Sequence, residues 1–94
     1  MKTIELDLTG CKNSGEIHER IQIAFDFPEW YGKNWSAFWD LLWSECDAEK
    51  VIVKALDNSS NEVKEALLKM REILERHKNE LANKNESFLY EIIS

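Results

Sequence analysis

Hydrophobic and polar positions alternate from the start of the chain. Ile4, Leu6 and Leu8 fall on one side of residues 3–8, and Thr3, Glu5 and Asp7 on the other. A period of two predicts a strand with one covered face. Thr9-Gly10 ends it. Asn13 stands three residues ahead of Glu16, the spacing of a capping box, and Ile17, Ile21, Ala24 and Phe25 follow at helical intervals. This first helix must stop before Pro28, because the residue ahead of a proline is driven out of the helical region. A loop, residues 27–33, leads to a second helix from about Asn34 to Glu45, with Asn34 as its cap. Residues 51–56 are a short, mostly apolar run, as in a buried parallel strand. Ser59 and Glu62 repeat the capping-box spacing. They open a long helix with Val63, Ala66, Leu67, Met70, Ile73, Leu74 and Leu81 along one stripe. Asn83 and Asn85 bracket the turn after it, and residues 87–93 form a last strand.

The predicted order is therefore β-α-α-β-α-β. Strands separated by helices pair in parallel through right-handed crossovers. The fold class is α/β: a three-stranded parallel sheet with helices packed on it. The 94 residues suit one domain spanning 1–94 and leave no room for a second. A hydrophobic fraction of 44% is enough to build its core.

Charge narrows the partners. Twelve basic and 18 acidic residues give a net charge of −6. Phosphate backbones are bound by basic surfaces, so nucleic acid is not expected as a direct ligand. An anionic membrane surface is disfavoured for the same reason. No apolar stretch approaches the ~20 residues of a membrane span. The opening residues read as a strand rather than a signal peptide. Cys11 and Cys46 share no metal or redox motif, and reduced thiols in a cytoplasmic protein are expected.

Candidate chemistry is sparse. His18 and His77 lie on polar-rich helical stretches without a partner one turn away, and both read as solvated surface residues. No phosphate loop, zinc-protease or serine-hydrolase pattern occurs. Glu45, Asp47 and Glu49 cluster between a helix and a strand, where a solvated turn is the simpler reading than a metal site or acid/base pair. No catalytic residue, metal or cofactor is expected.

One segment stands apart. All four tryptophans, Trp30, Trp35, Trp39 and Trp43, lie within 14 residues, with Tyr31 and Phe38 among them. At about 100° per residue, Phe38, Leu42, Trp35 and Trp39 share one arc of the second helix. Ser36, Asp40 and Ser44 form the opposite stripe, with Trp43 on the boundary. Trp35, Phe38 and Leu42 read as core, and Trp39 as spanning core and rim. Between Asp26 and Glu49 there are six acidic residues and one basic residue, Lys33, a local net of 1 − 6 = −5. Aromatic anchors around a polar centre suit a protein interface, and an acidic field steers a cationic partner toward it.

The run Phe27-Pro28-Glu29-Trp30-Tyr31-Gly32-Lys33-Asn34-Trp35-Ser36-Ala37-Phe38-Trp39-Asp40 resembles the signature of the barstar family of intracellular ribonuclease inhibitors. Tyr31-Gly32, Asn34, Ala37 and Trp39-Asp40 match its pattern as they stand. The resemblance implies a single barstar-like domain that binds a ribonuclease active site with this helix and the loop before it. It implies that Asp40 stands in for a substrate phosphate, with Trp30, Tyr31, Ser36, Trp39 and Trp43 in the contact surface. The expected partner is a basic, RNase-like nuclease toxin, and the free protein is expected to be a monomer. Two positions depart from the family: Ser36 stands where members that bind barnase carry a second aspartate, and Lys33 where an acidic residue is usual. Trp35 and Trp43 are bulkier than their usual counterparts. A module on the same fold that binds a non-nuclease toxin or regulator is the alternative.

Overall fold

The structure, a computed structural model, describes residues 2–55 and 61–93. The order is β1 (Thr3–Asp7), α1 (Ser14–Phe25), α2 (Trp35–Ser44), β2 (Lys50–Lys54), α3 (Asn61–Ala82) and β3 (Leu89–Ile93). All six elements occur in the predicted order. Leu56, read as the end of the second strand, and Ser59, read as the cap of the third helix, lie outside the described residues.

The sheet runs β1-β2-β3, with both pairs parallel. The register aligns Ile4 with Val51 and Tyr90, and Leu6 with Val53 and Ile92. These residues share the covered face, where Ile4, Leu6, Val51 and Val53 are buried. The other face carries Thr3, Glu5 and Asp7 on β1, Lys50, Ile52 and Lys54 on β2, and Leu89, Glu91 and Ile93 on β3. It stays open: Glu5 and Lys54 form an ion pair across it at 3.7 Å, and Leu89 and Ile93 are exposed. Parallel sheets are ordinarily covered on both faces. Here β2 is central, as its apolar run suggests, but it alternates, with Val51 and Val53 buried and Ile52 only half covered.

The three helices contribute one apolar stripe each to the same core. Ile17, Ile21 and Phe25 come from α1, Phe38, Leu41 and Leu42 from α2, and Val63, Met70 and Leu74 from α3. The long helix contacts α1, α2 and β3. Its first turn also reaches the first turn of α1, where the Ser14 N–H donates to Glu62 Oε2 at 2.6 Å.

Both predicted asparagine caps form. Asn13 Oδ1 accepts from the Glu16 N–H at 2.9 Å, and Glu16 Oε2 accepts from the Lys12 N–H at 3.1 Å, one residue before the cap. Asn34 Oδ1 accepts from the Ala37 N–H at 2.8 Å, while its Nδ2 donates to the Gly32 carbonyl at 3.2 Å. A Cβ on Gly32 would stand 3.2 Å from that Nδ2, which explains a glycine two residues ahead of the cap. Asn34 thus holds both the start of α2 and the loop before it. Asn34→Ala is expected to cost about 1 kcal/mol and to lower the melting temperature by roughly 4–8 °C. Thermal denaturation followed by circular dichroism checks this, and an unchanged midpoint would contradict it.

Candidate functional site

The loop joining α1 to α2 is pinned at several points. Asp26 takes the left-handed conformation (φ 56°), and the N–H groups of Asp26 and Phe27 return to the carbonyls of Ile23 and Gln22. This closes α1 with a Schellman motif. Gln22 Nε2 donates to the Pro28 carbonyl at 2.9 Å, and the Tyr31 N–H donates to the same oxygen at 3.0 Å. The Tyr31 hydroxyl shares a 2.6 Å hydrogen bond with His18 Nδ1. Around that bond the rings pack closely, with Trp35 4.4 Å from His18, and Phe27 5.3 Å from Tyr31, centroid to centroid.

Two expectations are corrected here. Tyr31, expected on the contact surface, is 4% exposed, a core residue whose hydroxyl bonds to His18 inside the protein. Its neighbour Trp30, 71% exposed, is the aromatic residue the loop presents. The second correction concerns the histidines, expected on the surface: His18 is 3% and His77 4% exposed. Each occupies an apolar stripe. His18 lies three residues before Ile21 and seven before Phe25, and His77 lies between Leu74 and Leu81 at the same helical spacing. That spacing was the available signal. His77 is surrounded by aromatic rings, with Trp43 at 4.5 Å and Phe88 at 4.7 Å, and its Nδ1 is buried without a hydrogen-bond partner among the described residues.

On α2 the wheel holds in part. Phe38 and Leu42 are buried as expected, Leu41 joins them, and Trp39 is half-buried; Trp35, read as core, is also only half-buried and lines the groove with Asp40. Ser36, Asp40 and Ser44 are exposed. The Ser44 hydroxyl donates to the Asp40 carbonyl at 3.1 Å, while no hydrogen bond or ion pair among the described residues engages the Asp40 carboxylate. Trp43 is half-buried, edge-on to Trp39 at 5.7 Å.

Asp40 lines a groove of about 490 Å³ between α2 and α3, opposite Lys69, Glu72 and Arg76. Trp35, Ser36 and Trp39 complete the α2 side. The Arg76 guanidinium lies 4.9 Å above the Trp39 ring, and Lys84 Nζ lies 4.9 Å above the Trp43 ring. These cations are part of the site's surroundings that the segment from Asp26 to Glu49 does not reveal. Lys69, Glu72, Ile73 and Arg76 recur at intervals of three, four and seven, so α3 sets them along one line, but only packing against α2 places that line beside Asp40.

The carboxylates near the end of α2 do not converge. Asp47 pairs with Lys2 at 2.8 Å, which holds its carboxyl below the usual range. Glu45 caps α2, and Glu49 is exposed. Among the described residues no group of three or more His, Cys, Asp or Glu side chains could hold a metal ion. Cys11 and Cys46 are free thiols, both pushed up by burial. No described helix is long and apolar enough to cross a membrane.

Three parallel strands covered on one side by helices, with a capped aromatic helix at the surface, define a small barstar-like α/β fold. Residues 1–93 match the family described as Barstar (barnase inhibitor), and the chain belongs to the barstar family. That is a family of ribonuclease inhibitors acting through protein–protein interaction. Among individual curated proteins none matches the chain.

The buried histidines carry a pH dependence. Burial disfavours their charged forms and moves both below the ordinary value of 6.5, with Glu80 and Glu86 opposing this in part at His77. The unfolded chain therefore takes up protons first as pH falls through 6.5, and stability drops from there down to the folded-state values. The urea midpoint is expected to be lower at pH 5 than at pH 7. A midpoint that holds constant or rises toward pH 5 would contradict burial of both imidazoles.

Proposed function

We propose that the protein blocks the active site of a cognate ribonuclease or related nuclease toxin with the exposed face of α2 and the loop before it. Asp40 is the central contact. The observation that carries this reading is an exposed carboxylate at mid-helix, without a pairing group among the described residues, in a groove that the Trp35 and Trp39 indoles also line. A ribonuclease cleft is cationic because it holds phosphates. A carboxylate already fixed on a capped helix meets those cations with little ordering cost.

The contact set is Trp30, Ser36, Trp39, Asp40 and Trp43. Trp30 supplies the exposed apolar anchor and Trp39 the wall beside the carboxylate. Ser36 marks a position without charge. Tyr31 acts one step back, by fixing the loop that carries Trp30. The protein inhibits by occlusion and not by catalysis, as a cytoplasmic monomer in its free state.

The test is inhibition of RNA cleavage by barnase and by nuclease toxins encoded beside the chain's own reading frame. Asp40→Ala is expected to lose at least ~2 kcal/mol of binding to the enzyme inhibited, roughly 30-fold in Kd. If Asp40→Ala inhibits as well as the unaltered chain, the carboxylate is not the phosphate mimic.

A further inference from the structure

The acidity counted along the sequence does not gather around Asp40. Asp26 ends α1, Glu29 is exposed beside Trp30 on the loop, Glu45 caps α2, Asp47 is neutralised by Lys2 and Glu49 is exposed before β2; none of them lines the groove that holds Asp40. Among the charged residues lining the groove, Asp40 and Glu72 are balanced by Lys69 and Arg76, so the groove is neutral as a whole. The balance has a direction. Asp40 sits on α2, while both cations sit on α3 with Glu72 between them, so the α3 side keeps one positive charge in excess. Arg76 is held in place twice, by the Trp39 ring at 4.9 Å and by Glu80 Oε1 at 3.5 Å. Lys84 adds a further cation outside the groove, over the Trp43 ring.

We propose that Lys69 and Arg76 are specificity-determining residues of this docking surface. This inference rests on the reading of Asp40 as the nuclease contact, and it names the kind of nuclease. A cleft that is cationic throughout is repelled by Lys69 and Arg76 as it approaches Asp40. The partner that fits is a nuclease that sets a carboxylate on the rim of its cationic cleft, so that the cation meets Asp40 while the carboxylate meets the α3 cations. Discrimination by a repulsive pair is inexpensive for the fold, because both side chains are exposed and neither belongs to the core.

Barnase serves as the probe for a phosphate-binding cleft. Its inhibition is titrated with the unaltered chain, with Lys69→Glu/Arg76→Glu, and with the neutral pair Lys69→Gln/Arg76→Gln. Melting temperatures confirm that each folds. The reversed pair is expected to inhibit at least about tenfold more tightly at low salt, with the neutral pair between it and the unaltered chain. The gain should vanish near about 0.5 M salt, where exposed charges are screened. Equal or weaker inhibition by the reversed pair overturns the inference, and so does no inhibition by any of the three. Asp40→Ala added to the reversed pair separates the two claims. If the gain survives loss of Asp40, the α3 cations still discriminate but Asp40 is not the central contact. If the gain disappears with Asp40, both stand.

Discussion

The hydrogen bond between His18 and Tyr31 is the contact on which the outer surface depends. It joins α1 to the loop before α2, and it lies within a set of rings, Phe27, Trp35 and Phe38 among them, that also belongs to the core. Removing either polar group would leave the other buried without a partner, a cost of about 1–3 kcal/mol. The bond therefore does what a purely apolar contact could not. It fixes which of two adjacent loop aromatics turns inward, and leaves Trp30 to turn outward.

From that pin the rest follows in order. The Schellman turn at Asp26 and the bond from Gln22 to the Pro28 carbonyl set the direction of the loop. Asn34 then bonds forward to Ala37 and back to Gly32, so loop and helix start as one piece. Phe38, Leu41 and Leu42 bind α2 to the core, and that leaves Ser36, Asp40 and Ser44 outward. Because the sheet has only one covered face, all three helices share one apolar layer. α3 is thereby brought beside α2, and its cations beside Asp40.

Much of this could be read along the chain. The strand alternation, the two asparagine caps and the stop before Pro28 are local features, and local sequence decides them. The outward stripe of α2 follows from helical period alone. The polar neighbours of the two histidines in sequence conceal their burial; both stand on apolar stripes, where a neutral imidazole packs like an aromatic ring. Tyr31 and Trp30 could not be told apart locally, since the loop has no period and His18 lies 13 residues away. The charge around Asp40 was beyond a count along one segment, because Lys69 and Arg76 reach it only through the packing of α3 on α2.

The central claim is that the outward face of α2 and the Trp30 loop form the surface that meets a ribonuclease. Fluorine NMR of the chain labelled with 5-fluorotryptophan tests it directly, since the four indoles occupy distinct positions on and around that face. On adding an equimolar ribonuclease that the chain inhibits, the account predicts that the Trp30 and Trp39 resonances shift or broaden. Inhibition with both resonances unmoved would place the binding surface elsewhere and contradict it.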